Sequence, residues 1–328
     1  MSSSPALSVI VPVLNEERHL RASIDWVLAQ HYPGEVEIVL AIGPSKDATH
    51  AVAEQLAREH AEITIVDNPS GTTPHALNLA IAAARHDIIV RVDAHGELCE
   101  GYLATVVELL ESTGAANVGG RMDAHGQTPF EEAVAAAYNS RLGLGGGGFH
   151  LADTPDGPAD TVFLGAFRRA ALEEVGGFDP TLKRAQDWEL NYRLRQAGHL
   201  VWYSPRLVVT YRPRSTVIAL AKQFFRTGQW RREVIRRHPD TASLRYLAPP
   251  TALVGVTAGS LAGLAGAASG RRWLRAGWLA PLGYLSIITT GSATMPGLSP
   301  AARARLPLVL AVMHLCWGLG FIVGGRRA

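Results

Sequence analysis

Cysteine is nearly missing. The two thiols, Cys99 and Cys316, stand far apart in sequence. They make neither a disulfide framework nor a zinc-binding spacing, and they fit a reducing cytosol for the soluble part of the chain. No basic stretch precedes the first apolar run, Leu7 to Leu14. That run holds Pro12 and ends at Asn15 and Glu16, so it reads as a buried strand rather than a signal peptide. An excess of positive charge is missing as well: 31 Lys and Arg stand against 29 Asp and Glu, which leaves no electrostatic footprint for nucleic acid. The most informative absence is local. No Asp or Glu occurs after Asp240, and beyond it the formal side-chain charges, histidine aside, are all arginine. Such a change in composition marks a passage from one solvent to another. No internal repeat is present.

Past that boundary lie three apolar stretches: Leu247 to Ser269, Trp273 to Met295 and Leu306 to Gly325. Each approaches the ~20 residues that a bilayer-spanning helix needs. Gly255, Gly259, Gly263 and Gly266 in the first suit close helix packing. Arg271, Arg272, Arg275, Arg303, Arg305, Arg326 and Arg327 are spread too evenly to orient the tail by charge. A soluble, alanine-rich helical domain is the competing reading, and the lack of carboxylates weighs against it. The segment over 216–245 is basic and amphipathic, with Phe224, Phe225 and Trp230, as suits a membrane surface. The division is therefore a soluble domain over 1–215, an interfacial segment over 216–245, and a membrane region of about three transmembrane helices over 246–328.

The soluble part alternates strand and helix four times in its first hundred residues. Branched apolar runs at Ser8–Val13, Val36–Ile42, Ile63–Val66 and Asp87–Val92 predict strands. Glu17–Ala29, Asp47–His60 and His75–Ala84 have helical spacing. This is an α/β pattern, a mostly parallel sheet with helices on both faces. Ligands of such sheets bind outside the carboxyl ends of the strands, where Asn15, Ser45, Asn68 and Asp93 fall. Later, Thr161–Phe167 predicts a strand, Arg169–Val175 a short helix, and Asp187–Gln196 a helix closed by Gly198. Gly145 to Gly148 is a run of glycines that no regular element holds. It is either a mobile loop over a substrate or a plain connector.

Asp93-Ala94-His95 ends an apolar strand. A carboxylate and an imidazole two positions apart can share a divalent cation, Mn2+ or, with phosphate oxygens, Mg2+. A turn cap beside a surface imidazole reads the same way. Gln186-Asp187-Trp188-Glu189 opens a helix; Asp187 there is either a cap or a base for a hydroxyl nucleophile.

The ordered set of motifs resembles the family 2 glycosyltransferases, from about Ser8 to Asp240. Val11-Pro12-Val13-Leu14-Asn15-Glu16 is similar to the opening strand and loop that receives the nucleotide. Ser45-Lys46-Asp47 is similar to the Ser-Thr-Asp after the second strand, and Ala76-Leu77-Asn78 to the helix start after the third. Asp93-Ala94-His95 resembles the Asp-X-Asp metal motif, Gly176-Gly177-Phe178-Asp179 the Gly-Gly-Phe-Asp before the acceptor-side helix, and Gln186-Asp187 the Glu-Asp whose aspartate is the base. Asp-Ala-His and Gln-Asp-Trp-Glu-Leu-Asn-Tyr-Arg narrow the resemblance to the succinoglycan branch, which builds exopolysaccharide on lipid carriers.

The resemblance implies a GT-A (Rossmann-like) catalytic domain facing the cytosol at the cytoplasmic membrane. It implies an inverting hexosyl transfer from a nucleotide-diphosphate sugar, foremost a UDP-sugar, to a lipid-linked or polysaccharide acceptor. Pro12, Asn15, Glu16, Ser45, Asp47, Asn78 and Asp93 would line the donor, Asp93 and His95 would hold the metal, and Asp187 would be the base. Gln223, Arg226 and Trp230 faintly resemble the Gln-X-X-Arg-Trp of processive synthases and would meet diphosphate or acceptor. Two departures stand out: Ile42 and Gly43 replace the family's base-contacting aspartate, and His95 replaces the second metal aspartate. The first also admits a catalytically silent glycan-binding or scaffold protein on the same fold. A nucleotidyltransferase lacks support, since no glycine-rich loop bearing Arg or Lys follows the first strand.

Overall fold

A computed structural model describes residues 4–182 and 184–324. The branched apolar runs form strands β1 (Leu7–Val13), β2 (Val36–Ile42), β3 (Ile63–Asp67) and β4 (Ile88–Arg91). Between them lie helices α1 (Leu20–Leu28), α2 (Thr49–Glu59) and α3 (Thr73–Ala83). Branched side chains crowd a helix but pack well on a pleated surface. The four strands pair in parallel in the order β3-β2-β1-β4, with Val9 opposite both Ile38 and Val90. Every residue of β1 except Pro12 is buried, the mark of a strand covered on both faces. Pro12 lies past the last β4 partner of β1, Ile10 opposite Arg91, so its missing N–H breaks no ladder there. Helix α1 starts at Leu20 rather than at Glu17; the residues between form a turn in which the His19 and Leu20 amides share the Glu16 carbonyl.

A carboxylate is buried in this sheet. Glu37 accepts from Ser8 Oγ at 2.5 Å, from Arg85 Nε at 2.6 Å and from the Arg85 amide. Burial alone would raise its pKa, but those hydrogen bonds outweigh it and hold the carboxyl below its ordinary value.

The chain continues through β5 (Glu97–Leu98), α4 (Tyr102–Thr113) and β6 (Asn117–Ala124). Helices α5 (Pro129–Tyr138) and α6 (Arg141–Leu144) follow, then β7 (Gly157–Pro158), β8 (Phe163–Arg168), α7 (Arg169–Glu174), α8 (Gln186–Gln196) and β9 (Val201–Tyr211). Strand β8 is antiparallel to β4 and to β6, and the sheet runs β3-β2-β1-β4-β8-β6-β9-β5 with β7 on β9. Gly120 lets β9 approach β6: a Cβ there would fall on the Leu207 carbonyl.

Two compact units result. The first is Met1–Asp123 with Ala152–Tyr211, and the second is Ala124–Leu151 with Arg212–Ala328. The second holds α5, α6 and five further helices: α9 (Val217–Arg237), α10 (Leu244–Ser269), α11 (Arg272–Arg275), α12 (Leu279–Thr294) and α13 (Pro300–Val323). Helix α13 packs against α5, α9, α10 and α12. Gly320 meets the Phe225 backbone, Gly228 the Trp317 backbone and Gly318 the Pro249 carbonyl, so small residues bring these helices close. Ser299, which caps α13, donates from its amide and hydroxyl to Glu132 at 2.7 and 2.6 Å.

Among the described residues two helices are long and apolar enough to cross a membrane, α10 and α13, with mean hydropathies of 1.5 and 2.1. The stretch Trp273 to Met295 divides into α11, a 3-10 turn and α12, whose 16 residues fall short of the ~20 a span requires. Gly325, Arg326 and Arg327 lie outside the described residues.

Candidate active site

The site begins where the parallel strands end. After β1, Asn15 adopts φ 55°, a left-handed conformation that asparagine tolerates better than most residues. The sharp turn is stitched to the turn after β2. The Asn15 amide donates to Ser45 Oγ at 3.0 Å, the Lys46 amide to Asn15 Oδ1 at 2.8 Å, and the Glu16 amide to Thr49 Oγ1 at 2.8 Å. The Thr49 hydroxyl donates to Asp47 at 2.5 Å and, with the Glu17 and Thr49 amides, keeps the Asp47 carboxyl below its ordinary pKa. Asn15, Glu16, Ser45 and Asp47 therefore share one wall. A Cβ on Gly43 would meet Leu14 Cδ1 at 3.0 Å and Gly71 Cα at 3.2 Å, so a side chain there would be crowded.

Asn78 is bound to the far side of the same unit. Its Nδ2 donates to the Phe178 carbonyl at 2.8 Å, and its Oδ1 accepts from the Phe178 amide at 2.9 Å. This reciprocal pair ties α3 to the Gly177 turn that precedes α8.

At the end of β4 the backbone turns sharply. Ser23 Oγ donates to the carbonyls of Asp93 and Gly96, both at 3.1 Å, and the Gly96 amide donates to the Asp93 carbonyl at 2.8 Å. His95 reaches across the mouth to Glu16, Nδ1 to Oε1 at 2.9 Å, with its side chain 42% exposed. Between the strand end and α8 sits Arg91, only 6% of its side chain exposed. Its Nε and Nη2 hold Asp93 Oδ1, both at 3.0 Å, and its Nη1 donates to Asp187 Oδ1.

Helix α8 is polar along much of its length, and three of its polar residues, Gln186, Glu189 and Asn191, are buried. Ala185, at φ 61°, turns the chain into the helix. Glu189 pairs with Arg193 at 2.7 Å, and Arg193 Nη2 reaches the Gly177 carbonyl at 2.7 Å. Asn191 bonds Thr161 and Asn117. These anchors fix Asp187 in the helix's first turn, with Trp188 buried beside it and stacked on Tyr192 at 5.6 Å. Burial raises the Asp187 pKa, Arg91 opposes the rise, and Asp93 adds to it. The Asp187 side chain is still 40% exposed, so it is recessed rather than sealed. For Arg91, burial opposes the charged form, but Asp187 and Asp93 outweigh it and raise its pKa.

Among the described residues no group of three or more His, Cys, Asp or Glu is arranged to hold a metal ion. Asp93 and His95, the expected metal ligands, are 26% and 42% exposed, Asp93 held by Arg91 and His95 by Glu16. That fits a cation that takes its remaining ligands from substrate phosphates and water, the usual arrangement for Mg2+ at a diphosphate. The imidazole favours Mn2+.

Arg91 escaped the motif reading. Its signal was a charge inside the apolar run Ile88-Ile89-Val90-Arg91-Val92, a position where arginine is buried only when paired. Gln223, Arg226 and Trp230 lie on α9 in the second unit. Arg214 Nε donates to Gln223 Oε1 at 3.3 Å, Arg226 is exposed and Trp230 is half-buried.

Residues 5–229 match the family model described as "Glycosyltransferase like family 2". The chain is 31% identical over 97% of its length to a succinoglycan biosynthesis protein of Rhizobium meliloti, covering 94% of that protein. It is 28% identical over 70% of its length to a Methanococcus voltae dolichyl N-acetyl-alpha-D-glucosaminyl phosphate diacetamido-dideoxy-glucuronosyltransferase, covering 74% of it. In three dimensions it resembles a mannosyltransferase from Pyrobaculum calidifontis solved with GDP-Man and Mn2+. The TM-score is 0.59, with 20% identity, 98% of this chain and 87% of that one covered. This likeness identifies the first unit's sheet as the GT-A fold.

Proposed function

Because the chain belongs to the glycosyltransferase-like family 2, we propose that it moves a hexosyl group from a nucleotide-diphosphate sugar to a hydroxyl of a lipid-linked or polysaccharide acceptor, with inversion at the anomeric carbon. The observation that carries this reading is the meeting of Asp93, from a parallel strand's carboxyl end, and Asp187, from the first turn of α8, on Arg91. A donor-binding carboxylate and a candidate base thus face one mouth. A binding scaffold has no use for the second.

Asn15, Glu16, Ser45 and Asp47 form the wall that receives the nucleotide, and Pro12 ends the strand beneath it. We assign the donor as a UDP-sugar, with the base read by backbone and Asp47, since Ile42 and Gly43 supply no carboxylate. Asp93 and His95 would hold Mn2+ or Mg2+, which when bound neutralises charge on the departing diphosphate. Asp187 takes the proton of the acceptor hydroxyl as that oxygen attacks the anomeric carbon and the bond to the nucleoside diphosphate breaks. Arg91 occupies one Asp187 oxygen and leaves the other for the proton, while recessing raises the carboxylate's basicity. Asn78 positions the α8 approach through Phe178. Helices α10 and α13 would anchor the enzyme in the cytoplasmic membrane, with the catalytic unit on the cytosolic side where nucleotide sugars are made. Similarity to the succinoglycan protein supports a place in exopolysaccharide synthesis.

The test is a screen of UDP- and GDP-sugars against the full chain in detergent, with nucleoside diphosphate release measured in added Mn2+ and in chelator. Release that needs both metal and Asp187 supports the reading. Tight sugar binding with no release under any donor and acceptor would return the chain to the scaffold class.

A further inference from the structure

The second unit holds a cluster of cations that the proposed chemistry leaves unused. Arg231, on α9, lies 3.8 Å from the centre of the Tyr246 ring, and Arg245 lies 4.4 Å from it while also donating to the Tyr246 hydroxyl. Tyr246 is buried. Two guanidiniums therefore share one ring in a desolvated place. Burial lowers the Arg231 pKa, and Arg245 pushes the same way. Arg245 makes no ion pair among the described residues. Cation–π attraction offsets only part of the cost of holding like charges out of water.

Two further observations converge here. The glycine run covers Arg245: a Cβ on Gly145 would lie 3.4 Å from Arg245 Cβ, and one on Gly147 would lie 3.8 Å from Arg245 Nη1 and 3.2 Å from the His150 ring. Glycine puts no side chain between this backbone and Arg245, which is half-buried. His150 Nδ1 is buried with no hydrogen-bond partner among the described residues. Burial, with Arg245 beside it, drops the His150 pKa to about 3, so the ring is a neutral donor at physiological pH. Ser243 Oγ, two residues before Arg245, is likewise buried without a partner. Arg245 and Tyr246 stand in the first turn of α10, at the end of a helix long enough to cross a bilayer, where lipid phosphates lie.

We propose that Arg231, Arg245 and His150, beneath the Gly145–Gly148 loop, bind the phosphate or diphosphate that joins the acceptor to its lipid carrier. Paired guanidiniums match phosphate oxygens in geometry and charge. The carrier's identity as an acceptor rests on the transferase reading; the phosphate chemistry does not.

The experiment uses the full chain in nanodiscs and measures binding of farnesyl diphosphate, with inorganic pyrophosphate and phosphatidylglycerol as separate arms. Arg231→Gln and Arg245→Gln should each weaken farnesyl diphosphate binding about tenfold or more. Arg245→Lys should retain part of it, and binding of the donor nucleotide should be unchanged. Unaltered farnesyl diphosphate affinity in the double variant would overturn the site. So would equal affinity for pyrophosphate, which removes the lipid from the ligand, or a loss confined to phosphatidylglycerol, which makes the cluster a headgroup anchor. A wild type that binds farnesyl diphosphate through these arginines but no nucleotide sugar would uphold the site and defeat the transferase reading. Thermal midpoints of all variants separate lost binding from lost folding.

Discussion

Arg91 and Asp187, 96 residues apart in sequence, are joined directly: Nη1 of the one donates to Oδ1 of the other while the same guanidinium grips Asp93. A planar fork can hold two carboxylates at once, and a lysine ammonium is a point charge that holds them less rigidly. Arg91→Lys should therefore lower kcat about tenfold or more, with donor affinity changed little, since the cost is orientation of Asp187 rather than binding. Wild-type turnover in a folded Arg91→Lys enzyme would show that the bridge is only structural.

Asp187→Asn keeps the shape of the side chain and removes the proton acceptor. Turnover should fall by at least about 10²-fold. The loss should be shared by kcat and kcat/KM, because the interaction matters in the transition state. A purely structural Asp187 would cost stability by weakening its contact with buried Arg91 and leave the folded fraction active. Thermal unfolding measured beside turnover tells the two apart.

Asp93→Ala should abolish turnover and weaken binding of the nucleotide diphosphate. His95→Ala should do less, since it removes one neutral ligand, and His95→Asp should shift preference from Mn2+ toward Mg2+. Activity in excess chelator equal to that in Mn2+ would remove this metal site.

Glu37→Gln tests the sheet rather than the chemistry. Its hydrogen bonds are to a charged acceptor, so the loss should be about 1.5–3 kcal/mol of stability. The folded-state pKa lies below the ordinary value of 4.5, so the unfolded chain takes up the proton first as pH falls. The stabilisation is thus complete above about 4.5 and is lost as pH drops through the folded-state pKa. Unfolding midpoints of wild type and Glu37→Gln should converge in acid; a gap that stays constant there would refute the assignment.

The full chain should remain with the membrane after high-salt washing and need detergent for release, through α10 and α13. Quantitative recovery in the soluble fraction would make those helices the core of a soluble unit.

The parallel half of the sheet was legible because each strand is a short branched run closed by a turn residue, from Val13-Leu14-Asn15 to Val92-Asp93. Strands β6 and β9 were not, because Gly119, Gly120 and Pro205 interrupt the apolar pattern that marks a strand. Those interruptions are the packing itself, with Gly120 making room for Leu207. Asp93, His95 and Asp187 stand out by motif order, but no pattern along the chain shows that Arg91 links the two aspartates. Hydropathy likewise sees Trp273 to Met295 as continuous, and cannot show the 3-10 turn at Ala276–Trp278 that separates α11 from the 16-residue α12. Boundaries read along a chain are contiguous, so 124–151 was grouped with 1–215, although its helices pack on α13.

That last arrangement sets a schedule for the ribosome. Glu132 finds its partner Ser299 only 167 residues later. At ~5–20 residues per second, α5 emerges on the order of 10 s before the helix that covers it is made. During that interval its buried face, Val134 and Tyr138 among others, is open to solvent, to chaperones and to any neighbouring nascent chain. The first unit, whose last strand ends at Tyr211, has all its residues by then. Pausing synthesis before Pro300 should therefore leave a chain with a protease-resistant sheet and a cleavable α5, and completing α13 should close that window.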